Sequence, residues 1–488
     1  MLQSLRQQAN AIAMALTALA LVMVPGLAAA WPENEAKAGA QSHGQVLAQF
    51  GGQISNARLS AYIDRIGRRI TAVTPYAAET WTFTVLDSPV VNAFAIQGGY
   101  IYLTRGMLAL ANSEAEIAAV IGHEIAHITA RHHAERQERG NKAGIGVLIG
   151  TAIGGLLGGK DGLKEGIQLS SKLAQGYVSQ FSQQQEFEAD TIGTKYLSAA
   201  GYDPAAQARI LAALSAKRAL EARIAGKSYN PNRVDFFSTH PATADRVRKV
   251  GQLAQGLPGA ELSEAAYMDA IDGMIYGDSA SQGFVRGRRF VHPEIGFELT
   301  VPEGFVITNS STSVRAEGPN GSKFILDSGG PARGGMARYI QRTWLRQIED
   351  QYGEARLYGL QEYQNGGVDV AQALVDITLR GRPTTVITTL VSLNGQFHRL
   401  SGIADRGDWN SLFALSEAAA SYRALSAREA ANERPYRLQV FEAGRRDTVA
   451  SMAARSPFDT HAEDIFRTLN GLSAGAMQRG DLVKVVVE

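Results

Sequence analysis

Apolar residues recur at helical spacing from Ser55 to Val73, and Trp81 to Leu86 is a short run of β-formers, so the pattern predicts a helix followed by a strand. Val90 to Thr104 predicts two strand segments around a glycine turn: Asn92-Ala93-Phe94-Ala95, the pair Gly98-Gly99, then Tyr100-Ile101-Tyr102-Leu103. The second segment is expected to run straight into a helix. Ser113 with Glu116 three residues on forms a capping-box signature for its start, and Ile117, Val120, Ile121 and Ile125 mark its apolar side. Residues 143–159 are almost all Gly, Ala, Ile, Leu and Val, a run of 17 that only just reaches the length needed to span a bilayer. Gly154-Gly155 and Gly158-Gly159 weaken an isolated helix, so this run is expected to be buried or to cover a site, with peripheral membrane contact as the alternative. Further helices are expected to about Met274.

Near residue 286 the texture changes to strands: Gly296 to Val301, Phe305 to Ile307 and Ser322 to Asp327, then a helix from about Met336 to Tyr352. Val368 to Leu379, Thr384 to Leu393 and Gln396 to Ile403 continue as a meander, the last two joined by the hairpin signal Asn394-Gly395, before a helix near Trp409 to Leu425. Residues 286–426 are therefore expected to form an α+β domain. Ala427 to Arg434 is polar and alanine-rich and is expected to be a linker, and 435–488 returns to a strand, helix, helix, strand pattern.

Composition narrows the class. A chain of 488 residues is too long for one ordinary core. The 48 Lys and Arg nearly cancel the 47 Asp and Glu, which leaves no global field to attract nucleic acid. Arg6, the apolar run Ala11 to Val24, Pro25 and Ala28-Ala29-Ala30 read as a cleavable secretory signal over 1–30. With no cysteine, the processed protein can carry neither a disulfide nor a lipid on an N-terminal cysteine, so a soluble periplasmic species is expected and not a lipoprotein.

The chemistry concentrates in His123-Glu124-Ile125-Ala126-His127. Two histidines four apart on a helix project from one face, so both imidazoles can reach a single Zn2+ ion per chain at about 2.0 to 2.1 Å. Glu124 beside the first ligand can take a proton from an activated water and pass it to a leaving amine, as a general base then acid. The bland alternative for these residues is a solvated charged helix.

A catalytic zinc site needs a third protein ligand and an open position. His133, six residues after His127, has the metzincin spacing, but Ala130 stands where that arrangement has a glycine, so the helix is expected to continue and carry His133 away. The other candidate is Glu186 in the helical run Gln185 to Asp190, where Asp190 shares its face one turn on and can accept the free ring N–H of a ligating histidine.

His123 to His127, Glu186-x-x-x-Asp190, Ser238-Thr239-His240-Pro241 with Arg246, and the strand Asn92-Ala93-Phe94 together resemble the M48 (Ste24-like) metallopeptidases over about Gly51 to Lys249. The resemblance implies a mainly helical zincin-like metalloprotease domain with a small β-sheet over 31–285, with His123, His127 and Glu186 on zinc. It implies that His240 can occupy the open metal position or steady an oxyanion, that Arg246 braces the site, and that Asn92, Ala93 and Phe94 bind polypeptide substrate by strand addition. Tyr436 to Val449 with Leu469 to Val483 resembles a small βααβ LysM module, which implies binding of peptidoglycan-type glycans, although Arg446-Asp447-Thr448 replaces the usual Gly-Asp-Thr. Residues 286–426 resemble the Mog1/PsbP-like α+β fold and show no catalytic constellation.

These readings converge on a multidomain α+β metalloendopeptidase of the cell envelope that acts on misfolded or envelope proteins. The rival is a glycan-binding or chaperone-like protein whose metal site is plugged or vestigial. A zinc-dependent peptidoglycan hydrolase is a third reading that suits Glu186-x-x-x-Asp190 poorly.

Overall fold

Alternate residues of the first strands serve opposite cores. The structure is a computed structural model and describes residues 30–135, 181–224, 240, 243–259, 262–310, 312–379, 381–472 and 477–488. The predicted signal, apart from Ala30, and the 143–159 run lie outside these residues. Helices α1 (Glu33–Gln49) and α2 (Ala57–Thr71) lie on opposite faces of a three-stranded sheet of β1 (Thr82–Leu86), β2 (Ala93–Ile96) and β3 (Tyr100–Thr104). The order is β1-β3-β2, with β1 parallel and β2 antiparallel to β3. Phe94, Ile96 and Tyr102 pack with Val46 of α1, while Ala93, Ala95, Ile101 and Leu103 pack with Ile63, Ile66 and Ile70 of α2. That is the period of two that a pleated strand imposes.

The second strand does not run straight into the motif helix. A six-residue helix, α3 (Arg105–Leu110), intervenes, capped by the side chain of Thr104 accepting from Met107 N at 3.2 Å. The motif helix α4 (Glu114–Thr129) begins at Ser113, whose hydroxyl accepts from Glu116 N. The Glu116 carboxylate reaches one residue further back than a capping box, accepting from Asn112 N at 2.8 Å. Residues from Glu114 to Ile128 are buried, so α4 lies inside the domain with no solvent face. It is followed by α5 (Gln183–Ala199), capped by Ser182 and Gln185, and then by α6 (Ala206–Ile224), α7 (Ala244–Ala254) and α8 (Glu264–Ile271). Among the described residues no helix is long and apolar enough to cross a membrane.

From β4 (Ile275–Tyr276) the chain enters the strand-rich half. Strands β5 (Phe284–Arg286), β6 (Arg289–His292) and β7 (Phe297–Thr300) form one small sheet with the later β15. A seven-stranded antiparallel sheet is built from β8 (Val306–Asn309), β9 (Ser313–Glu317), β10 (Lys323–Pro331), β11 (Arg356–Asn365), β12 (Val368–Leu379), β13 (Arg382–Leu393) and β14 (Gln396–Asp405), in the order β11-β12-β13-β14-β10-β9-β8. Asn394 and Gly395 both take positive φ, 50° and 73°, as the tight turn between β13 and β14 requires. Helices α9 (Met336–Tyr339) and α10 (Leu345–Tyr352), joined by a π-helical turn, pack Ile340, Trp344 and Ile348 on one face of the sheet. On the other face, α11 (Trp409–Ala420) packs Leu412 and Leu415.

After β15 (Arg423–Ala424), the stretch expected to be a linker contains a helix, α12 (Ala427–Asn432). Its first turn is closed by a capping box between Ser426 and Glu429, a signature that outweighs the polar composition. The C-terminal residues follow the predicted order as β16 (Tyr436–Glu442), α13 (Val449–Ala453), α14 (Ala462–Leu469) and β17 (Leu482–Val487). They do not stand apart from the N-terminal half. β16 pairs with β17 on one side and β4 on the other, and Leu438, Leu469 and Val486 belong to the same core as Ile121 and Ile125 of α4. The Lys484 side chain is fully buried, its Nζ donating to the carbonyls of Ala109 (2.7 Å) and Ala111 (2.6 Å) just ahead of α4.

Candidate metal centre

Helix α4 presents His123 and His127 on one face, with their Nε2 atoms 3.1 Å apart. Two nitrogens bound at tetrahedral angles to one zinc at ordinary bond lengths stand about 3.3 Å apart. Glu186, in the first turn of α5, completes the group: Oε2 is 3.5 Å from His123 Nε2 and Oε1 is 3.6 Å from His127 Nε2. His240 closes it from above, with Nδ1 at 2.8 Å from Glu186 Oε1 and 3.3 Å from His123 Nε2. One donor atom from each of His123, His127, Glu186 and His240 lies within 4.8 Å of the others, so the donors converge on one point and their chemistry suits a divalent zinc-like ion.

Glycines bring the two helices this close. A methyl group on Gly122 would stand 3.3 Å from the carbonyl oxygen of Gly193, and one on Gly193 would stand 3.1 Å from the carbonyl carbon of Gly122. With no side chain at either crossing point, α5 lies against the backbone of α4, and Glu186 and Asp190 face the two histidines.

Around the donors is a buried frame. Asp190 Oδ1 lies 3.1 Å from His123 Nδ1. Arg246, at the start of α7, donates from Nε and Nη2 to both oxygens of Asp190 at 2.7 Å each, and its Nη1 is 2.7 Å from Glu186 Oε2. Gln207 of α6 donates to Asp190 Oδ1 at 3.0 Å and accepts from Thr194 at 2.7 Å. Glu124 is 3% exposed, and its Oε1 is 3.6 Å from His240 Nε2.

The electrostatics agree with this frame. Burial opposes charge on Glu186, but His240 and Arg246 outweigh it and hold the carboxylate ionised well below its ordinary range. Burial likewise opposes the charge of Asp190, and Arg246 with His123 nevertheless brings it down to about 2. Burial opposes protonation of His123, yet contact with Asp190 and Glu186 raises it to about 9. Burial, reinforced by the neighbouring imidazoles, holds His127 neutral, the form that can ligate.

The expectation that α4 continues past Ala130 does not hold. The helix ends at Thr129, and Arg131 takes φ 58°, a left-handed conformation costing a non-glycine residue about 1 to 2 kcal/mol. The Arg131 guanidinium is held by Glu35 of α1 at 2.8 Å. The turn brings His132, not His133, back to His127: the two Nδ1 atoms are 2.9 Å apart. His133 lies outside the donor group, with its ring 5.1 Å from that of Phe181, which stacks on His127 at 3.9 Å. His132, Gln207 and Phe181 carried no recognisable signal in the sequence, because each reaches the site only through a turn or a helix crossing.

Asn92 precedes β2, and Ala93 and Phe94 lie within it at the edge of the three-stranded sheet. The side chains of Ala93 and Phe94 are buried, so they could offer a peptide only backbone groups. Asn92 is tied through its backbone to Thr104, its N–H donating to Oγ1 at 3.1 Å.

Residues 57–254 match the family model described as Peptidase family M48. The chain is similar to the mitochondrial metalloendopeptidase OMA1 of Schizosaccharomyces pombe, 30% identical over 209 residues, covering 42% of this chain and 57% of that protein. It is also similar to the beta-barrel assembly-enhancing protease of Escherichia coli K12, 30% identical over 197 residues, covering 40% of this chain and 38% of that protein. The matched stretch therefore spans about half the length of these relatives. Among solved structures, cyanobacterial PsbP from Synechocystis sp. PCC 6803 is 12% identical, covering 29% of this chain and 98% of that chain with a TM-score of 0.24. The Ran-binding protein Mog1p of Saccharomyces cerevisiae is 11% identical, covering 27% and 92% with a TM-score of 0.23. His123, Glu124, His127, Glu186, Asp190, His240 and Arg246 all fall inside the matched stretch, and on that agreement of family model, relatives and donor geometry residues 57–254 of this chain belong to peptidase family M48.

Proposed function

We propose that this chain is a zinc-dependent endopeptidase of the cell envelope. The observation that carries the reading is the convergence of His123, His127 and Glu186 donor atoms beside the buried carboxylate of Glu124. Zinc held there would act as a Lewis acid on a peptide carbonyl and make a water acidic enough to lose a proton near neutral pH. Glu124 takes that proton and returns it to the departing nitrogen. His240, within reach of Glu124 and Glu186, donates to the developing oxyanion once substrate has moved it off the donor group. Arg246 and Asp190 keep Glu186 and His123 aimed at the metal. The substrate backbone adds to the edge of β2, which favours broad sequence selectivity.

Glu124→Gln should bind zinc as wild type does and lose cleavage of an unfolded substrate such as casein. Undiminished proteolysis would remove Glu124 from its role. The envelope location rests on the predicted signal at 1–30, and the substrate class of misfolded or envelope polypeptides is in keeping with the name of the E. coli relative.

A second reading draws on the position of His240, which stands among the other donors and could fill the fourth metal position permanently. The protein would then bind clients, or peptidoglycan through residues 435–488, without turnover. His240→Ala decides between them: residual proteolysis above a metal-free control, even if lowered by loss of the oxyanion donor, keeps the enzyme reading, whereas none in either wild type or His240→Ala with zinc bound favours the vestigial site.

A further inference from the structure

His132 is 1% exposed and has both ring nitrogens occupied. Nδ1 is 2.9 Å from Nδ1 of His127, and Nε2 is 3.4 Å from Oε2 of Glu188. The rings of His127 and His132 meet edge to face at 70°. Glu188 is on α5, two residues from Glu186, and its side chain is 54% exposed, so the row His127, His132, Glu188 runs from the donor group to the surface.

We propose that His132 is a positioning residue for the metal. It accepts the Nδ1–H of His127 on its own Nδ1 and donates its Nε2–H to Glu188, which turns the bare Nε2 of His127 toward the ion. The proposal rests on the metal-centre reading above.

The proton inventory decides the direction of the row. A neutral imidazole has one N–H and one lone pair. His127 Nε2 faces His123 Nε2 at 3.1 Å and Glu186 Oε1 at 3.6 Å, and it must be bare to ligate. Its proton is then on Nδ1, and the acceptor at 2.9 Å is Nδ1 of His132. His132 in turn carries its proton on Nε2, where a carboxylate stands ready to accept it. Reversing the row would place the His127 proton on Nε2, inside the donor group, and would set the lone pair of His132 Nε2 against the lone pairs of Glu188. Glu188 therefore selects the ligating tautomer of His127 through His132. The two metal histidines have different supports: Asp190, pinned by Arg246, stands behind His123, and an imidazole stands behind His127. Partners that orient ligands in this way commonly change metal affinity ten- to a hundredfold when removed.

The test is zinc affinity of the purified full-length chain, measured by chelator competition, with thermal midpoints of the metal-free proteins alongside. His132→Phe keeps a flat ring and should weaken zinc about ten- to a hundredfold. His132→Asn places an amide oxygen near the Nδ1 position and should recover most of that loss. Glu188→Ala, a change on an exposed side chain whose effect on folding should be slight, should weaken zinc severalfold, and His133→Ala should leave it unchanged. Equal zinc affinity in wild type and His132→Phe, or an affinity in His132→Asn no better than in His132→Phe, would overturn the proposal. So would affinities that merely follow the metal-free thermal midpoints. If wild type itself fails to take up one zinc per chain, the metal-centre reading falls, and this proposal with it.

Discussion

A methyl group on Gly193 would stand 3.0 Å from the backbone nitrogen of His123, so the helix carrying Glu186 and Asp190 rests directly on the backbone of the helix carrying both histidines. Alanine at this position gains up to about 1 kcal/mol of helix propensity. Against that, overpacking at rigid backbone costs about 1 to 3 kcal/mol. Gly193→Ala should therefore lower unfolding free energy by about 0 to 2 kcal/mol. Displacing Glu186 from His123 should nonetheless lower zinc occupancy and cut proteolysis on the order of tenfold or more. Metal content by atomic absorption and a casein assay check both arms, and full metal with full activity would refute the packing argument.

Arg246 is the counterion for two buried carboxylates, and removing it leaves Glu186 and Asp190, each 2% exposed, without its charge. Arg246→Met should cost about 3 to 5 kcal/mol of stability in urea unfolding. Arg246→Lys should recover only part of this, because one ammonium cannot match the paired 2.7 Å bonds to Asp190. A lysine variant as stable as wild type would count against the bidentate account.

The α+β half should be acid-sensitive. His292 is lowered to about 4 by burial and then by the neighbouring His398, and burial also lowers His398, whose Nδ1 meets the Tyr422 hydroxyl at 2.6 Å. An unfolded histidine titrates near 6.5, so between about 6.5 and 4 the unfolded chain binds protons that the folded chain refuses. The stability contribution is full above about 6.5 and falls as pH drops, by about 3 kcal/mol for His292 at the acid end. His292→Asn retains an acceptor for Ile295 N and should flatten the profile between pH 7 and 4.5. A variant profile as steep as wild type would locate the sensitivity elsewhere.

Lys484 ties the last strand to the residues that lead into the motif helix. Burial lowers its ammonium to about 7 even though Glu116 and Glu264 favour the charge, and its donors satisfy the carbonyls of Ala109 and Ala111. Lys484→Met should leave those carbonyls unpaired at a cost of about 2 to 4 kcal/mol by urea unfolding. Deleting residues 435–488 would strip Leu438, Leu469 and Val486 from the core shared with α4 and should yield aggregated or inactive protein. A soluble, active truncation would make the C-terminal residues a detachable module after all.

Local signals foretold the elements that local physics governs. The 3.6-residue period from Ser55 to Val73 became α2, the Gly98-Gly99 turn joined β2 to β3, and Asn394-Gly395 closed its hairpin, because each depends on residues a few positions apart. The linker expected at 427–434 is the counterexample. There composition hid the Ser426 to Glu429 capping box. The helix stop was also misjudged, since Arg131 adopts a conformation its type disfavours, with Glu35 holding it from another helix.

For the site itself, the sequence alone determined that His123 and His127 share a helical face with Glu124 next to the first of them, and that Glu186 and Asp190 share another, since one turn of helix dictates both. Only tertiary structure decided which residues meet. Gly122 against Gly193 brings the two faces together, Arg246 arrives from a third helix, and the turn at Arg131 delivers His132. A helix period fixes neighbours about 5 Å apart along one axis, whereas metal geometry and buried charge pairing need atoms from separate helices about 3 Å apart, a distance that only packing sets.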